Sequence, residues 1–147
     1  MDIELKGMAP LLQVFDMPTA IAFYCGTLGF ELVNHSPLVK SAEGEYFHWA
    51  LLRHQGIELM LNTAYEEGQR PAMPDSKRIA AHDDMCLYFG APDVDAAYNY
   101  LRGKRLDVKP PKVAPYGMKQ LYLHDPDGYN LCFQWSVTKS ESSTAGS

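Results

Sequence analysis

The chain has 147 residues, with 13 Lys and Arg against 18 Asp and Glu, a formal charge of −5. Hydrophobic residues make up 46% and charged residues 21%, which is typical of one globular domain and excludes a disordered chain. No apolar run approaches the roughly 18 to 20 residues of a membrane span, and no basic stripe favours nucleic acid. We therefore expect neither a membrane nor nucleic acid among its partners.

The first half of the chain predicts one strand, one helix and three further strands. Asp16 stands as an N-cap with Pro18 in the first helical turn, and Gly29 stands where a left-handed C-cap would end the helix. Alternating and apolar runs around a His54-Gln55-Gly56 turn predict a hairpin. The predicted strands are 9–15, 30–33, 46–53 and 57–62.

The segment 63–84 is polar, holds two prolines and a glycine, and shows no sustained period. That is long for a loop in a compact domain, so we predict a linking loop that is either a connection between half-units or a functional lid. The tail from residue 138 to 147 is rich in Ser and Thr and is predicted to be flexible.

The second half of the chain repeats the order of elements found in the first half. It predicts a strand at 85–89, a helix capped by Asp93, extended chain at 106–108, and strands at 118–123 and 129–135. The last two strands flank an Asp125-Pro126-Asp127-Gly128 turn, in which glycine supplies a positive φ. Each half is therefore predicted to be a β-α-β-β-β unit.

Five sequence blocks occur in an order that resembles one superfamily. They are Phe15-Asp-Met-Pro-Thr-Ala-Ile-Ala-Phe-Tyr24, Gly56-Ile-Glu-Leu-Met-Leu-Asn62, Pro92-Asp-Val-Asp-Ala-Ala97, Pro115-Tyr-Gly-Met118 and Asp125-Pro-Asp-Gly-Tyr129. In this order they resemble the vicinal oxygen chelate superfamily, which contains glyoxalase I, bleomycin-resistance proteins and extradiol dioxygenases.

The resemblance implies an α+β fold in which two βαβββ modules form curled mixed sheets around a cavity, often completed across a homodimer. It implies a single domain at 1–137, with module one at 9–62, the linking loop at 63–84, module two at 85–136 and the tail after it. One departure concerns the end of the second helix, where the family usually has glycine near Arg105. Either Gly103 takes the left-handed conformation or Arg105 is strained.

The resemblance also implies four metal-ligand positions, which fall on Ala9, Glu58, Cys86 and Cys132. Alanine cannot bind a metal, and the cysteines stand where the enzymes commonly have His and Glu. We therefore expect no cofactor, with one divalent metal at Glu58, Cys86 and Cys132 as the alternative. The three widely spaced cysteines lack a CxxC pair, which indicates reduced thiols and a cytoplasmic location. His82, four residues before Cys86, is predicted to be an exposed loop histidine.

Strand parity identifies the residues expected to line the cavity. An all-aliphatic face (Ile57, Leu59 and Leu61) should pack on a helix and turn Glu58 inward. Glu58 is the catalytic candidate, as a general base, a group that recognises a cation, or a partner in an ion pair with an arginine. Two further candidates, Tyr116 and Met118, lie where a mobile loop would close over the mouth. The other ligand-binding candidates are Gln13, His48 or Trp49, Met60, Asn62, Tyr88 and Gln134.

The function expected from these features is metal-free binding of an amphipathic or cationic small molecule in a dimer cleft, similar to the bleomycin-resistance branch. One alternative is a metal-dependent lyase, isomerase or dioxygenase of the glyoxalase type that uses Glu58. Another is a structural or regulatory dimer with a vestigial cavity. The fold hosts many chemistries, so the resemblance alone does not choose among them.

Overall fold

A computed structural model of the chain describes residues 2–41 and 44–137. The predicted tail at 138–147 lies outside the described residues. The chain divides between Pro74 and Asp75 into two compact units. Within the described ranges, no helix is long and apolar enough to cross a membrane.

The first unit is a four-stranded sheet with a helix on one face. Its elements are β1 (Leu11–Val14), α1 (Met17–Ile21), a π-helical continuation (Ala22–Thr27), β2 (Glu31–His35), β3 (Val39–Ser41), β4 (Gly44–Tyr46), β5 (Trp49–His54) and β6 (Ile57–Thr63). The strand order is β1-β6-β5-β2, with β1 parallel to β6 and the other neighbours antiparallel. Among the described residues, strands β3 and β4 pair only with each other, in an antiparallel hairpin that the sequence pattern did not predict.

Helix α1 begins where the sequence predicts it. The Asp16 carboxylate accepts a hydrogen bond from the Thr19 amide at 3.0 Å, and Pro18 occupies the first turn. The helix packs on the sheet through alternate strand residues, so Leu59 and Leu61 are buried as predicted, whereas Ile57, the first residue of β6, is 40% exposed and lies outside the core. The core of this unit contains Leu12, Val14, Ala20, Tyr24, Ala50, Leu52, Leu59 and Leu61, each at most 1% exposed.

The turn between β5 and β6 fixes the register of the two strands that carry most first-unit candidates. Gln55 and Gly56 both have positive φ, at +49° and +83°, as a two-residue type I′ hairpin requires. The turn therefore sets Arg53 directly opposite Glu58 and Trp49 opposite Asn62.

The second unit repeats this topology without the extra hairpin. Its elements are α2 (Ser76–Ala81), a 3₁₀ turn (His82–Asp84), β7 (Cys86–Gly90), α3 (Val94–Gly103), β8 (Lys112–Val113), β9 (Met118–His124) and β10 (Asn130–Ser136). The strand order is β7-β10-β9-β8, with β7 parallel to β10. Both sheets therefore arise from a β-α-β-β-β order, which confirms the predicted α+β class and its repeat.

Helix α2 lies within the segment that was predicted to be a loop without regular structure. Asp75 caps it through a 2.9 Å hydrogen bond from the Lys77 amide. Six residues are too few to show a helical period, and a helix this short depends on tertiary contact. Ile79 supplies that contact, because it lies against the backbone of Gly128.

The predicted turn at 125–128 is confirmed, and the side chain of its first residue stabilises it through hydrogen bonds. The side chain of Asp125, a residue only 5% exposed, accepts hydrogen bonds from the Asp127 and Tyr129 amides at 2.9 Å each. Gly128 has φ of +83°. The turn joins β9 to β10 and so sets their register.

The sequence left two alternatives for the end of α3, a left-handed Gly103 or a strained Arg105, and the structure shows the second. Arg105 has φ of +64°, while Gly103 is the last residue of the helix and keeps a negative φ. A side chain in the left-handed region costs about 1 kcal/mol, which glycine at this position would avoid.

Candidate binding site

Each sheet has one face covered by its helix and another that we call its open face. In the first unit, the register places Gln13, Asn62 and Trp49 side by side across β1, β6 and β5. Asn62 Nδ2 donates to Gln13 Oε1 at 3.4 Å and to the Thr63 carbonyl at 3.2 Å. Met60 follows on the same face, opposite Leu11. These side chains are half-buried or exposed, whereas their neighbours on the helix face are buried.

The structure also distinguishes His48 from Trp49, which strand parity left open. Trp49 is on the open face in register with Asn62. His48 precedes β5, and its Nδ1 lies 2.8 Å from Thr63 Oγ1. Trp49 is therefore the residue of the two that joins the amide pair.

Glu58 is paired with an arginine on the neighbouring strand. Its Oε2 lies 2.9 Å from Arg53 Nη2, and the two side chains are 36% and 47% exposed. Of the three roles left open by the sequence, the structure shows the ion pair. Exposed pairs of this kind contribute at most about 1 kcal/mol to stability. The general-base role of Glu58 stays a prediction.

The open face of the second sheet carries more polar and aromatic side chains than that of the first. Lys119 Nζ lies 2.7 Å from Asp95 Oδ2 of α3, which marks the Lys119 side of β9 as the helix face and the opposite side as the open face. The register then places the following residues on the open face: Cys86, Tyr88, Lys112, Met118, Gln120, Tyr122, His124, Asn130, Cys132 and Gln134.

A buried glutamine organises the middle of this face. Gln120 is 8% exposed, and its Nε2 donates to the Tyr116 hydroxyl at 2.8 Å and to Gln134 Oε1 at 2.9 Å. Because the glutamine holds both partners, Tyr116 and Gln134 are oriented before any ligand arrives. Both were sequence candidates, but Gln120 was missed. The sequence feature that identifies Gln120 is its position two residues after Met118 on β9, which places both side chains on the same face.

Two tyrosine hydroxyls meet beside this network. Tyr88 and Tyr122 are 53% and 48% exposed, and their hydroxyl oxygens are 3.2 Å apart. The hydrogen bond shared with the Tyr88 hydroxyl, together with partial burial, raises the pKa of Tyr122 above its usual value. Tyr122 therefore stays a neutral hydroxyl at physiological pH. The sequence analysis missed Tyr122 as well as Gln120, although both have the same strand parity as Met118 on β9.

Gln120 and Tyr122 form part of the wall of a groove of about 730 Å³. Its other wall is the chain between α3 and β9, from Leu106 to Pro115. The volume lies within the range of about 300 to 1,000 Å³ that is typical of small-molecule sites. Two lysines, Lys109 and Lys112, and one acid, Asp107, are among the lining residues.

The segment that holds Tyr116 and Met118 forms a tight turn, and its mobility stays a prediction. The Gly117 amide donates to the Ala114 carbonyl at 2.9 Å, and the Ala114 amide donates to the Met118 carbonyl at 2.7 Å. Tyr116 is 69% exposed at its tip, and Met118 is the first residue of β9. The turn therefore presents Tyr116 from a defined backbone.

The prediction that His82 is an exposed loop residue is wrong. Its ring stacks on Tyr129 with centroids 3.8 Å apart and planes 8° apart, and its Nδ1 donates to the Asp127 carbonyl at 2.7 Å. The histidine is half-buried because α2 brings it onto the 125–128 turn. It serves the packing of that turn.

A family model described as the Glyoxalase/Bleomycin resistance protein/Dioxygenase superfamily matches residues 8–133. The chain belongs to this superfamily. No curated protein matches it in sequence.

Solved structures share the fold at low sequence identity. A glyoxalase/bleomycin resistance protein/dioxygenase from Nocardioides is 18% identical with a TM-score of 0.66, covering 95% of this chain and 89% of its own. TnmS3, an antibiotic binding protein from Streptomyces sp. CB03234, is 22% identical with a TM-score of 0.63, and the match covers 92% of this chain and 100% of TnmS3. The bleomycin-binding protein of Streptomyces verticillus, complexed with copper(II)-bleomycin, is 19% identical with a TM-score of 0.62, and the match covers 90% of this chain and 97% of that protein.

The residues at the superfamily's four metal-ligand positions do not fit a metal centre here. Ala9 has no donor atom, and Glu58 is held by Arg53. Burial raises the pKa of both the Cys86 and the Cys132 thiol, which opposes the thiolate form that binds metal. Among residues 2–41 and 44–137, no group of three or more His, Cys, Asp or Glu side chains is placed to hold an ion.

Proposed function

We propose that this superfamily member binds an amphipathic small molecule on the open face of its second sheet, without a metal, and holds it unchanged. The observation that carries the proposal is the buried Gln120, which fixes Tyr116 and Gln134 beside the half-exposed ring of Tyr122. Aromatic surface with a few oriented polar groups is the usual composition of a small-molecule site.

The groove favours a flat, largely apolar ligand with a few polar atoms. The Tyr122 ring offers a stacking surface, and the glutamine network offers hydrogen-bonding groups at its edge. The cationic ligand that we also expected is less favoured in this groove, because Lys109 and Lys112 line it against the single acid Asp107.

The structural relatives support this proposal. TnmS3 is described as an antibiotic binding protein, and the Streptomyces verticillus protein as bleomycin-binding. The enzyme alternative would need Glu58 as a base or ligand, but that carboxylate is already paired with Arg53. Chemistry at Glu58 therefore gains no support from its surroundings.

The test is a thermal-shift screen with EDTA present, using bleomycin and a panel of aromatic amphiphilic antibiotics, followed by calorimetric titration of each hit. Tyr122→Ala should weaken binding of a hit by about 1 to 2 kcal/mol, since it removes one ring from the site. Tyr100→Ala is the matched control, because Tyr100 is equally exposed at 48% but lies on α3. No hit, or equal loss in both variants, would contradict the proposal.

We also propose that the protein is a cytoplasmic homodimer in which the open faces are completed. Large side chains on these faces remain partly exposed, among them Leu11 at 43% and Tyr88 at 53%. The free thiols of Cys25, Cys86 and Cys132 suit a reducing compartment. Sedimentation velocity should show a dimer of this 16.5 kDa chain, and a monomer at micromolar concentration would contradict this proposal.

A further inference from the structure

We infer that the first unit contains a separate site for an organic cation, such as an amidine, a guanidine or an alkylammonium group. The site is a groove of about 660 Å³ between the start of α1, strand β4 and the chain after β6. We call it the Arg70 groove. Its lining residues are Phe15, Asp16, Met17, Pro18, Gly44, Glu45, Tyr46, Thr63, Tyr65, Glu66, Gly68, Arg70, Pro71 and Ala72. None of the open-face candidates is among them, so this inference does not depend on the function proposed above.

The groove already holds one planar cation that belongs to the chain itself. The guanidinium carbon of Arg70 lies 5.1 Å from the centroid of the Phe15 ring, and Nη1 lies 2.5 Å from Asp16 Oδ1. Both side chains of the ion pair are about 70% buried, at 31% and 28% exposed. An aromatic face with a carboxylate at its edge is the environment that stabilises a guanidinium in proteins.

The remaining charges favour a second cation. After Arg70 neutralises one of three lining carboxylates, Glu45 and Glu66 leave two negative charges among the described lining residues. Lys40 lies 4.0 Å from Glu45, but its side chain is 87% exposed, so this contact opposes a ligand only weakly. The local field therefore attracts a positively charged ligand.

The aromatic walls select an organic cation over a metal ion. Tyr46 and Tyr65 line the groove, and Tyr65 packs edge-on against Phe15 with ring centroids 6.2 Å apart. A ring face attracts a cation through its quadrupole and also buries the cation's apolar surface. A strongly hydrated inorganic ion gains only the first of these effects.

The test compares benzamidine with benzamide, which have nearly the same shape and differ in charge. Each is titrated into the ¹⁵N-labelled full-length protein and followed through its amide resonances. Benzamidine should shift the resonances of Tyr65, Glu66 and Gly68 saturably, and benzamide should not. Equal binding of the two probes, or shifts confined to other residues, would overturn the inference.

Neighbouring glutamates provide a matched pair of variants. Glu66→Gln removes a carboxylate that lines the groove and should weaken benzamidine binding about two- to fivefold, as expected for one partly exposed charge. Glu67→Gln makes the same chemical change one residue further on, outside the lining, and should have no effect. An equal loss in both variants would mean that only the net charge of the protein matters.

Arg70→Met tests whether the resident guanidinium competes with the ligand. The variant removes the guanidinium from Asp16 Oδ1 and from the face of the Phe15 ring, and with it a like charge, so benzamidine binding should tighten at least about threefold. Arg53→Met is the control, because Arg53 is also paired but lies outside the groove. Unchanged or weaker binding in a folded Arg70→Met protein would overturn the inference. If this variant does not fold, the Glu66 and Glu67 pair decides.

Discussion

Gly128 shows how one residue can be required for two separate reasons. Its φ of +83° is one that side chains rarely adopt, and a Cβ there would lie 2.7 Å from Ile79 Cγ2 and 3.3 Å from the Ile79 carbonyl oxygen. Gly117 has nearly the same φ, +82°, with nothing within 4 Å of a Cβ. The two glycines therefore separate backbone strain from steric contact.

Gly128→Ala should destabilise the protein by about 2 to 4 kcal/mol, because strain of about 1 kcal/mol adds to an overpacking cost of about 1 to 3 kcal/mol. Gly117→Ala should cost only the strain, about 1 kcal/mol. Chemical denaturation of both variants measures the difference. In an Ile79→Ala background, which lacks Cγ2, Gly128→Ala should cost less than it does in the wild type. Equal losses in Gly128→Ala and Gly117→Ala would contradict this account.

Helix α1 depends on Asp16 for both its start and its connection to the chain after β6. Burial disfavours the charged carboxylate, but hydrogen bonds from the Thr19 hydroxyl, the Thr19 amide and Arg70 outweigh it, so the pKa of Asp16 lies below its usual value. A lowered pKa means that ionised Asp16 stabilises the fold. The cap and the ion pair can be separated by substitution, because asparagine caps helices about as well as aspartate.

Asp16→Ala should lower the free energy of unfolding by about 1 to 2 kcal/mol at neutral pH through loss of the cap. Asp16→Asn keeps the cap and loses only the charge. The advantage of wild type over Asp16→Asn should be complete above the unfolded pKa of 3.8 and should disappear as the pH falls through the lower folded pKa. Urea unfolding from about pH 6 to pH 2 measures it, and a difference independent of pH would contradict this assignment.

Across the whole molecule, the sequence predicts the elements that carry their own signals. The N-caps Asp16 and Asp93, the 54–56 hairpin and the 125–128 turn each contain the residue types that their geometry requires. Helix α2 and the β3–β4 hairpin are too short for a readable period and depend on contacts distant in sequence. They were missed for that reason.

For the candidate site, the sequence predicts the face on which a strand residue lies but not the residue that it contacts. Parity within a strand places Asn62, Tyr88 and Gln134 on open faces, as the register confirms. The partner of a side chain depends on which strands are neighbours, which parity within a strand does not reveal. The sequence therefore predicts an ion pair with an arginine as one role of Glu58 but does not identify Arg53 as that arginine, and it does not predict the hydrogen bonds made by Gln120.

The metal question also concerns the whole molecule, because an ion bound only to the folded state stabilises the entire fold. A metal ion present at 100 times the Kd of its site would add about 2.7 kcal/mol to the free energy of unfolding and raise the midpoint of thermal unfolding by several degrees. Because Ala9 has no donor and the Cys86 and Cys132 thiols favour their protonated form, we expect no such rise with zinc, nickel, manganese or ferrous ions, and no fall with EDTA. Differential scanning calorimetry under argon measures both. A rise that disappears in Cys86→Ser or in Cys132→Ser would contradict metal-free binding, whereas one that persists in both variants would come from a site elsewhere on the protein.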